Sequence, residues 1–402
     1  MTPELRFATG PRVLHIGKYF PPVAGGIESF LSDLLQGLER EGVHTAALVH
    51  DDGRFKKSPG EVHGVGSIYR APSHGNLLYA PVSPGFPVVL ASVLRTFNPD
   101  LLHLHLPNTS AFWVLISRHA RRIPWVIHWH ADVVPSKIDT RMALAYKLYQ
   151  PFERALLRRA RSVIVTSRPY LETSLPLRAY RSKTHVIPLG LNAGRYGRVD
   201  PQALDWAGRL WGPKRQLRVL TIGRLTYYKG HEILLEAAHR TSGIKVVIVG
   251  EGDRRRKLEE TIVRLDLGNK VQLTGFLAES KLNALLASCD CFCLPSMERT
   301  EAFGMVLLEA MCFGKPVIAS HVSGSGVSWV VRHGKTGFLI PSGDVASLSA
   351  ALTVMANSSH LRAEMGDAAE SRFKLNFRIE GVARRISRLY RKLCGTASPL
   401  LR

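Results

Sequence analysis

The residues that could do chemistry fall into four short segments. Glu301-Ala-Phe-Gly-Met-Val-Leu-Leu-Glu309 sets two carboxylates at either end of an apolar helix start. Gly304 opens that helix, and its free N–H groups would favour a phosphate. If wholly helical, the segment would separate the carboxylates by at most about 12 Å, on the scale of a nucleotide-sugar, so that one could reach the sugar and the other the ribose. A plainer reading makes Glu301 charge decoration at a helix N-terminus and Glu309 a polar-face residue. Against this, Glu309 falls between Leu308 and Ala310, where an unpaired carboxylate is costly. The second segment, Gly223-Arg224-Leu225-Thr-Tyr-Tyr-Lys229-Gly230, follows a strand and presents two cations that could clamp a diphosphate or simply form a solvated loop. The third, Pro21 to Glu28, is a βα turn. Its Gly25 and Gly26 would let backbone approach an anion at a helix N-terminus. It is neither Gly-x-Gly-x-x-Gly nor a Walker sequence, which weakens dinucleotide and P-loop readings. The fourth, His128-Trp129-His130-Ala131-Asp132, ends a strand, and His103 and His105 repeat its spacing. Strand residues i and i+2 share a face, but no third metal ligand is evident, so these read as structural histidines.

Other conspicuous residues carry less. Cys289, Cys291 and Cys293 alternate as small buried side chains would, without paired zinc spacing. The basic run 254–257 and the pair Arg158-Arg159 read as solvated faces.

The elements that must position these segments alternate between short β-branched runs and longer helical patterns, the mark of parallel α/β units. Strands are expected at 12–16, 45–49, 101–105, 125–128, 162–166 and 185–187, then at 218–222, 245–249, 270–273, 291–295, 316–319 and 337–340. Helices are expected at 27–41, with Leu31, Leu34, Leu35 and Leu38 in phase, and at 141–161, with Leu144, Leu148, Phe152, Leu156 and Leu157 as an apolar stripe. Further helices are expected at 231–240, 254–265, 279–287, 304–313 and 345–356, and a basic amphipathic one at 377–393. Residues 190–215 lack periodicity and read as the start of an interdomain connection. The expectation is two doubly wound domains facing across a cleft, with ligands at the carboxyl ends of the strands.

The 402 residues are 45% hydrophobic and 21% charged, which excludes wholesale disorder, and no apolar run is long enough to span a membrane. The N-terminus lacks a secretory signal pattern, and five cysteines are too few for a disulfide scaffold, so a cytoplasmic setting is expected. Charge is the abnormal figure, at +22, and the excess is spread over both halves. Nucleic acid, an anionic membrane surface or a phosphorylated substrate would each fit it.

Taken in order, these segments resemble the retaining glycosyltransferases of family 4, which have the two-domain GT-B fold. The most specific piece is Glu301–Glu309, which resembles the family's E-x7-E motif; the Gly223–Gly230 segment, the Gly250-Glu251-Gly252 turn and His130 follow the family's order. The resemblance implies a first domain over 1–190, joined by a C-terminal helix over 377–402 and facing the acceptor, and a donor-binding domain over 191–376. It implies that Arg224 and Lys229 clamp the donor diphosphate, that Glu309 binds the ribose and that Glu301 holds the sugar. Backbone at Phe303, Gly304 and Met305 would meet phosphate and sugar, and Gly250 and Gly252 would shape the donor site. Gly25 and Gly26 would close over the diphosphate, and His130, oriented by Asp132, would sit beside the anomeric centre. No metal or other cofactor is implied, and no Asp-x-Asp pair occurs. One departure stands out: where many relatives carry a Pro-Glu pair before a Gly-x-x-Gly turn, this chain has Trp329. That variant resembles a subgroup with bacterial O-antigen and exopolysaccharide mannosyltransferases, which points to GDP-mannose and a lipid-linked acceptor met at the inner membrane surface through the apolar, basic faces at 141–161 and 377–393. A UDP-sugar donor and, in another class, a basic nucleic-acid-binding protein are the alternatives.

Overall fold

The computed structural model describes residues 10–53, 61–62, 66–77, 80–133, 140–197, 199–213 and 216–395. The chain divides into two compact units, Met1–Leu191 with Ile379–Arg402, and Asn192–Arg378. The first nine residues, which bear on the absence of a signal, and the tail 396–402 of the expected C-terminal segment lie outside the described residues.

In the first unit the strands are β1 (Arg12–Ile16), β2 (His44–His50), β3 (Glu61–Val62), β4 (Ser67–Ala71), β5 (Asn76–Leu77), β6 (Ala80–Pro81), β7 (Leu101–Leu106), β8 (Trp125–Trp129), β9 (Ser162–Val165) and β10 (Thr184–Val186). Apart from the small β5–β6 pair they form one sheet in the order β10-β9-β8-β7-β1-β2-β4-β3. Among the described residues only the edge strand β3 of this sheet runs antiparallel. Strands buried on both faces need continuous apolar sequence, which β7 and β8 supply except at their histidines. The helix Gly26–Arg40 packs Phe30, Leu31, Leu34, Leu35 and Leu38 inward. Phe20, Leu31, Leu35, Ala47, Val49 and Ile68 form one apolar cluster there.

The C-terminal helix Ile379–Gly395 belongs to this unit. It buries Ile379, Val382, Ala383, Ile386, Leu389 and Tyr390 and leaves its basic residues outside. It lies so close to the first helix that a Cβ at Gly37 would come within 2.8 Å of the Ala383 Cβ. Arg40–Glu380 and Arg384–Glu41 flank the contact. Its apolar face is therefore core, which corrects the expectation that this face is available to a membrane. The helix Thr140–Arg159 departs in the opposite sense. Leu156 and Leu157 are buried, but Leu144, Leu148 and Phe152 are 66%, 72% and 51% exposed.

The second unit has strands β11 (Leu217–Ile222), β12 (Ile244–Val249), β13 (Val271–Gly275), β14 (Cys291–Leu294), β15 (Val317–His321) and β16 (Gly337–Pro341). All are parallel, in the order β13-β12-β11-β14-β15-β16. The order reverses between β11 and β14, and loops leaving the carboxyl ends of those two strands part there, opening a place for a ligand.

The stretch 190–215 is not a plain connection. It contains the helix Pro201–Trp211, with Asp200 accepting from the Gln202 N–H and proline in the first turn. Trp211 anchors it by donating from Nε1 to the Ser288 hydroxyl at 2.9 Å. Strands β3 to β6 and the helices Phe86–Thr96 and Ser359–Asn376 were not anticipated either.

Candidate active site

The two conspicuous loops of the second unit converge at the switch point. β11 ends at Ile222 and delivers Gly223 and Arg224, followed by a 3-10 turn Tyr227–Lys229. Gly230 then takes a left-handed conformation (φ 69°) and caps the helix His231–Arg240; a Cβ there would strike the Pro295 carbonyl oxygen at 2.0 Å. β14 ends at Leu294 and delivers Ser296 and Glu301.

Where these loops meet, Lys229 Nζ donates to Glu301 Oε2 at 2.5 Å, and the Ser296 hydroxyl donates to the same oxygen at 3.2 Å. Both charged side chains are buried, at 8% and 9% exposure. Burial opposes the charge on Lys229, but Glu301 more than offsets it and raises the ammonium pKa above its ordinary value. The ammonium is thus charged at neutral pH. The main chain carrying the carboxylate is fixed too, since Ser325 donates its hydroxyl to the Glu301 main-chain oxygen and Gly326 N–H donates to Ala302 O at 2.8 Å.

Arg224 is exposed, one residue beyond Gly223, and the Lys229 ammonium would sit 3.3 Å from a Cβ at Gly223. Gly250 and Gly252 are required by close backbone approach. A Cβ at the first would lie 1.9 Å from Gly223 O, and at the second 2.3 Å from Leu225 O. Hydrogen bonds from Leu225 N–H to Glu251 O and from Gly223 N–H to Val249 O lock that turn against the cationic loop.

Helical geometry begins only at Met305, behind Gly304 in a left-handed conformation (φ 81°). The carboxylates are therefore not on one continuous helix, which corrects the fully helical picture. Glu301 lies in the preceding turn, and Glu309 is half-buried on the helix Met305–Cys312. Phe303 is buried, with Trp329 and Phe377 as ring neighbours. Trp329, at the position of the departure, packs on Phe377, and Arg372 donates to its carbonyl oxygen at 2.6 Å. It is built into the wall behind the carboxylate turn.

In the first unit, Gly25 precedes the helix Gly26–Arg40 in extended conformation, and the turn is largely open. His130 follows β8 and is buried. Its orienting partner is not Asp132: the Asp132 carboxylate accepts from Trp129 Nε1 at 2.8 Å and from the Ser174 hydroxyl at 2.7 Å. His130 Nε2 instead meets His105 Nδ1 at 2.9 Å. The histidine pairs also acquire a neighbour that sequence did not reveal, since His15 joins them. The cysteines at 289, 291 and 293 are buried, unpaired thiols. The basic run at 254–257 is tied to Glu232, Glu251, Glu259 and Glu260.

Two family models match this architecture unit by unit. Residues 25–190 match the glycosyl transferase 4-like domain, and residues 211–372 match the glycosyl transferases group 1. The D-rhamnosyltransferase WbpZ of Pseudomonas aeruginosa is 32% identical over 372 residues, covering 91% of this chain and 92% of that protein. The chain belongs to the family 4 glycosyltransferases. The O-antigen chain mannosyltransferase C of Escherichia coli is 29% identical over 392 residues, covering 96% of this chain and all of that protein. The fold is GT-B: the sucrose-phosphate synthase of Thermosynechococcus elongatus superposes with a TM-score of 0.80 at 24% identity, over 96% of this chain and all of that one. This glycosyltransferase therefore has the two α/β units expected of its family. Sequence reasoning missed Ser296, Ser325 and His15, whose partners are fixed by folding and not by local spacing.

Proposed function

We propose that this glycosyltransferase is a retaining enzyme that moves a manno-configured hexose, mannose first, from a GDP-linked donor to a lipid-linked glycan in bacterial surface polysaccharide assembly. The observation that carries the chemistry is the buried Lys229–Glu301 pair at the switch point, beside exposed Arg224 and the helix start at Gly304. Glycosyl transfer builds positive charge on the sugar ring and negative charge on the departing diphosphate. Arg224, Lys229 and the backbone N–H groups of Phe303, Gly304 and Met305 are assigned to the diphosphate. Glu301 is assigned to the sugar, where its charge would steady the oxocarbenium character, and Glu309 to the ribose. These cations perform the charge stabilisation that a metal ion performs elsewhere, so the reaction is proposed to be metal-independent. The second unit is assigned to the donor. The first is assigned to the acceptor, with the open backbone at Gly25 and Gly26 and with His130 as its contributions to the donor.

The relatives' names support this choice of sugar. D-rhamnose is mannose without the 6-hydroxyl, so a mannosyltransferase and a D-rhamnosyltransferase share a ring configuration. The membrane assignment rests on Leu144, Leu148 and Phe152, exposed one turn apart, with Ile116 also exposed and Arg158 and Arg159 at the same helix's end. Among the described residues no helix is long and apolar enough to cross a membrane. The deciding experiment is calorimetric titration with GDP, UDP and ADP, each with and without EDTA, followed by transfer from GDP-mannose and its 6-deoxy analogue. GDP is expected to bind at least about tenfold more tightly than UDP, with EDTA having no effect. A UDP preference would discard the GDP assignment while keeping the enzyme class.

A further inference from the structure

Five histidines meet on one face of the first unit's sheet. Parallel pairing sets His15 beside His103 and His105 beside His128. The period of two keeps 103 with 105 and 128 with 130. All five are buried. His15 Nδ1 lies 3.0 Å from His105 Nε2, and His105 Nδ1 lies 2.9 Å from His130 Nε2. Burial, reinforced for most of them by neighbouring imidazoles, lowers every pKa, that of His105 to about 3, so the rings are neutral at pH 7.

Three nitrogens from His105, His128 and His130 lie within 4.8 Å of one another, as do three from His15, His103 and His105. A metal ion does not fit either group well. An imidazole lone pair lies in the ring plane, and the His128 and His130 planes are stacked 4.4 Å apart at 3°, so they cannot aim at one ion. Both nitrogens of His105 are already in hydrogen bonds, and neither group includes a carboxylate to offset a buried cation.

A neutral imidazole carries one N–H and one bare nitrogen, so the two bonds of His105 cannot be set independently. When His105 donates from Nδ1 to His130, its Nε2 must accept from His15 Nδ1, and His130 carries its own proton on Nδ1. When His130 donates from Nε2, both bonds reverse and His130 Nδ1 is bare. The two states carry the same net charge, and passing from the first to the second takes up a proton at His15 Nε2 and releases the one on His130 Nδ1. His130 Nδ1 is buried and has no hydrogen-bond partner among the described residues. Leaving it so is costly, and a sugar hydroxyl reaching it removes that cost.

We propose that His105 and His15 are positioning residues for His130, fixing its ring and setting through the imidazole chain whether Nδ1 offers a donor or an acceptor to the bound sugar. The proposal rests on the reading of His130 as a sugar-facing group. It requires that His15, His105 and His130 share one tautomer, all protonated on Nδ1 or all on Nε2.

The test uses the full-length protein labelled with 15N-histidine, in which two-bond proton–nitrogen correlations report the protonated nitrogen of each ring. Wild type, His15→Leu and His15→Asn are compared, because His15 reaches His130 only through His105 and asparagine keeps a polar atom near the Nδ1 position. One shared tautomer is expected in wild type. In His15→Leu the His130 pattern shifts and kcat falls roughly tenfold, the worth of one hydrogen bond, with donor KM changed less than about twofold. His15→Asn restores both. Mixed tautomers among the three rings of wild type overturn the proposal even if the leucine variant does not fold. An unchanged His130 pattern in His15→Leu, or equal losses from Leu and Asn, reduce His15 to packing. Nitrogen shifts that respond to EDTA reveal a bound metal and also overturn it. The nitrogen shifts need no turnover, so a wild type that transfers no sugar defeats the functional reading while the chain is still decided.

Discussion

Lys229 and Glu301 act as one unit, and their variants should behave so. Removing one partner of a buried pair strands the other charge, at a cost of about 3–5 kcal/mol. Lys229→Ala and Glu301→Ala should each lower stability, and the double variant should lose less than the sum by at least about 1 kcal/mol. Additive losses in denaturant titrations would show that the pair is not coupled. In kinetics, Glu301→Gln should mainly lower turnover, about a hundredfold for a lost transition-state charge, whereas Glu309→Ala should mainly raise the donor dissociation constant. Wild-type rates from both would remove the carboxylates from the site. Glu153 offers a pH test in the first unit. It is buried, with Tyr146 donating to it at 3.1 Å, and burial followed by the nearby Asp132 charge raises its pKa to about 7. Below pH 4.5 the group is neutral whether folded or not. As pH rises towards 7 the unfolded chain ionises first and stability is lost. Glu153→Gln should therefore stabilise the protein by about 3 kcal/mol at pH 8 and by almost nothing at pH 4. A gain that is the same at both pH values would place the cause in packing.

The helices and strands show how far sequence carries. Leucines at 31, 34, 35 and 38 announced the first helix, and β-branched runs announced β11 and β12 to within a residue, because burial on one face or both imposes the pattern. Ser67–Ala71 hid as a strand because, near the sheet's edge, its Tyr69 and Arg70 stay half-buried. Pro201–Trp211 hid because glycines and prolines around it read as a linker, although Asp200-Pro201 is a helix start. At the site, Glu301 and Lys229 were legible as residue types. That they pair was not, because the contact joins loops leaving two different strands. His15 was invisible for the same reason, since only the register of β1 against β7 places it. The C-terminal helix gives the element-scale prediction. Gly37 leaves no room for a side chain against Ala383 and Ile379. Gly37→Leu should prise the helix Ile379–Gly395 from the helix Gly26–Arg40, lower the melting temperature by several degrees and raise hydrogen exchange in the last helix first. Exchange that stays uniform, with an unchanged melting temperature, would mean that the two helices part without consequence.

At the scale of the whole molecule the question is what a surplus of +22 is for. Part of the basic surface is committed internally: Arg254 and Lys257 share Glu232, and Arg255 lies between Glu251 and Glu259. The helix Thr140–Arg159 is different in kind. Its outward Leu144, Leu148 and Phe152 lie on the same element as Arg154, Arg158 and Arg159, and Arg158, Arg159 and Arg121 line a depression floored by Leu115 and Trp125. Apolar side chains flanked by arginines suit the boundary between headgroups and acyl chains, where each cation near an anionic surface is worth about 1 kcal/mol. Cosedimentation with vesicles containing anionic lipid should therefore bind the protein, and binding should weaken as salt shortens the reach of the charges. Reversing Arg154, Arg158 and Arg159 to glutamate should abolish it. Changing Leu144, Leu148 and Phe152 to serine should leave a weaker, wholly salt-sensitive remnant, because charge attraction survives the loss of insertion. Neutral vesicles separate the two contributions: if wild type binds them as well as anionic ones, charge plays no part in the contact. If neither triple variant differs from wild type on anionic vesicles, this helix is not the membrane face, and the surplus charge must be assigned to the acceptor.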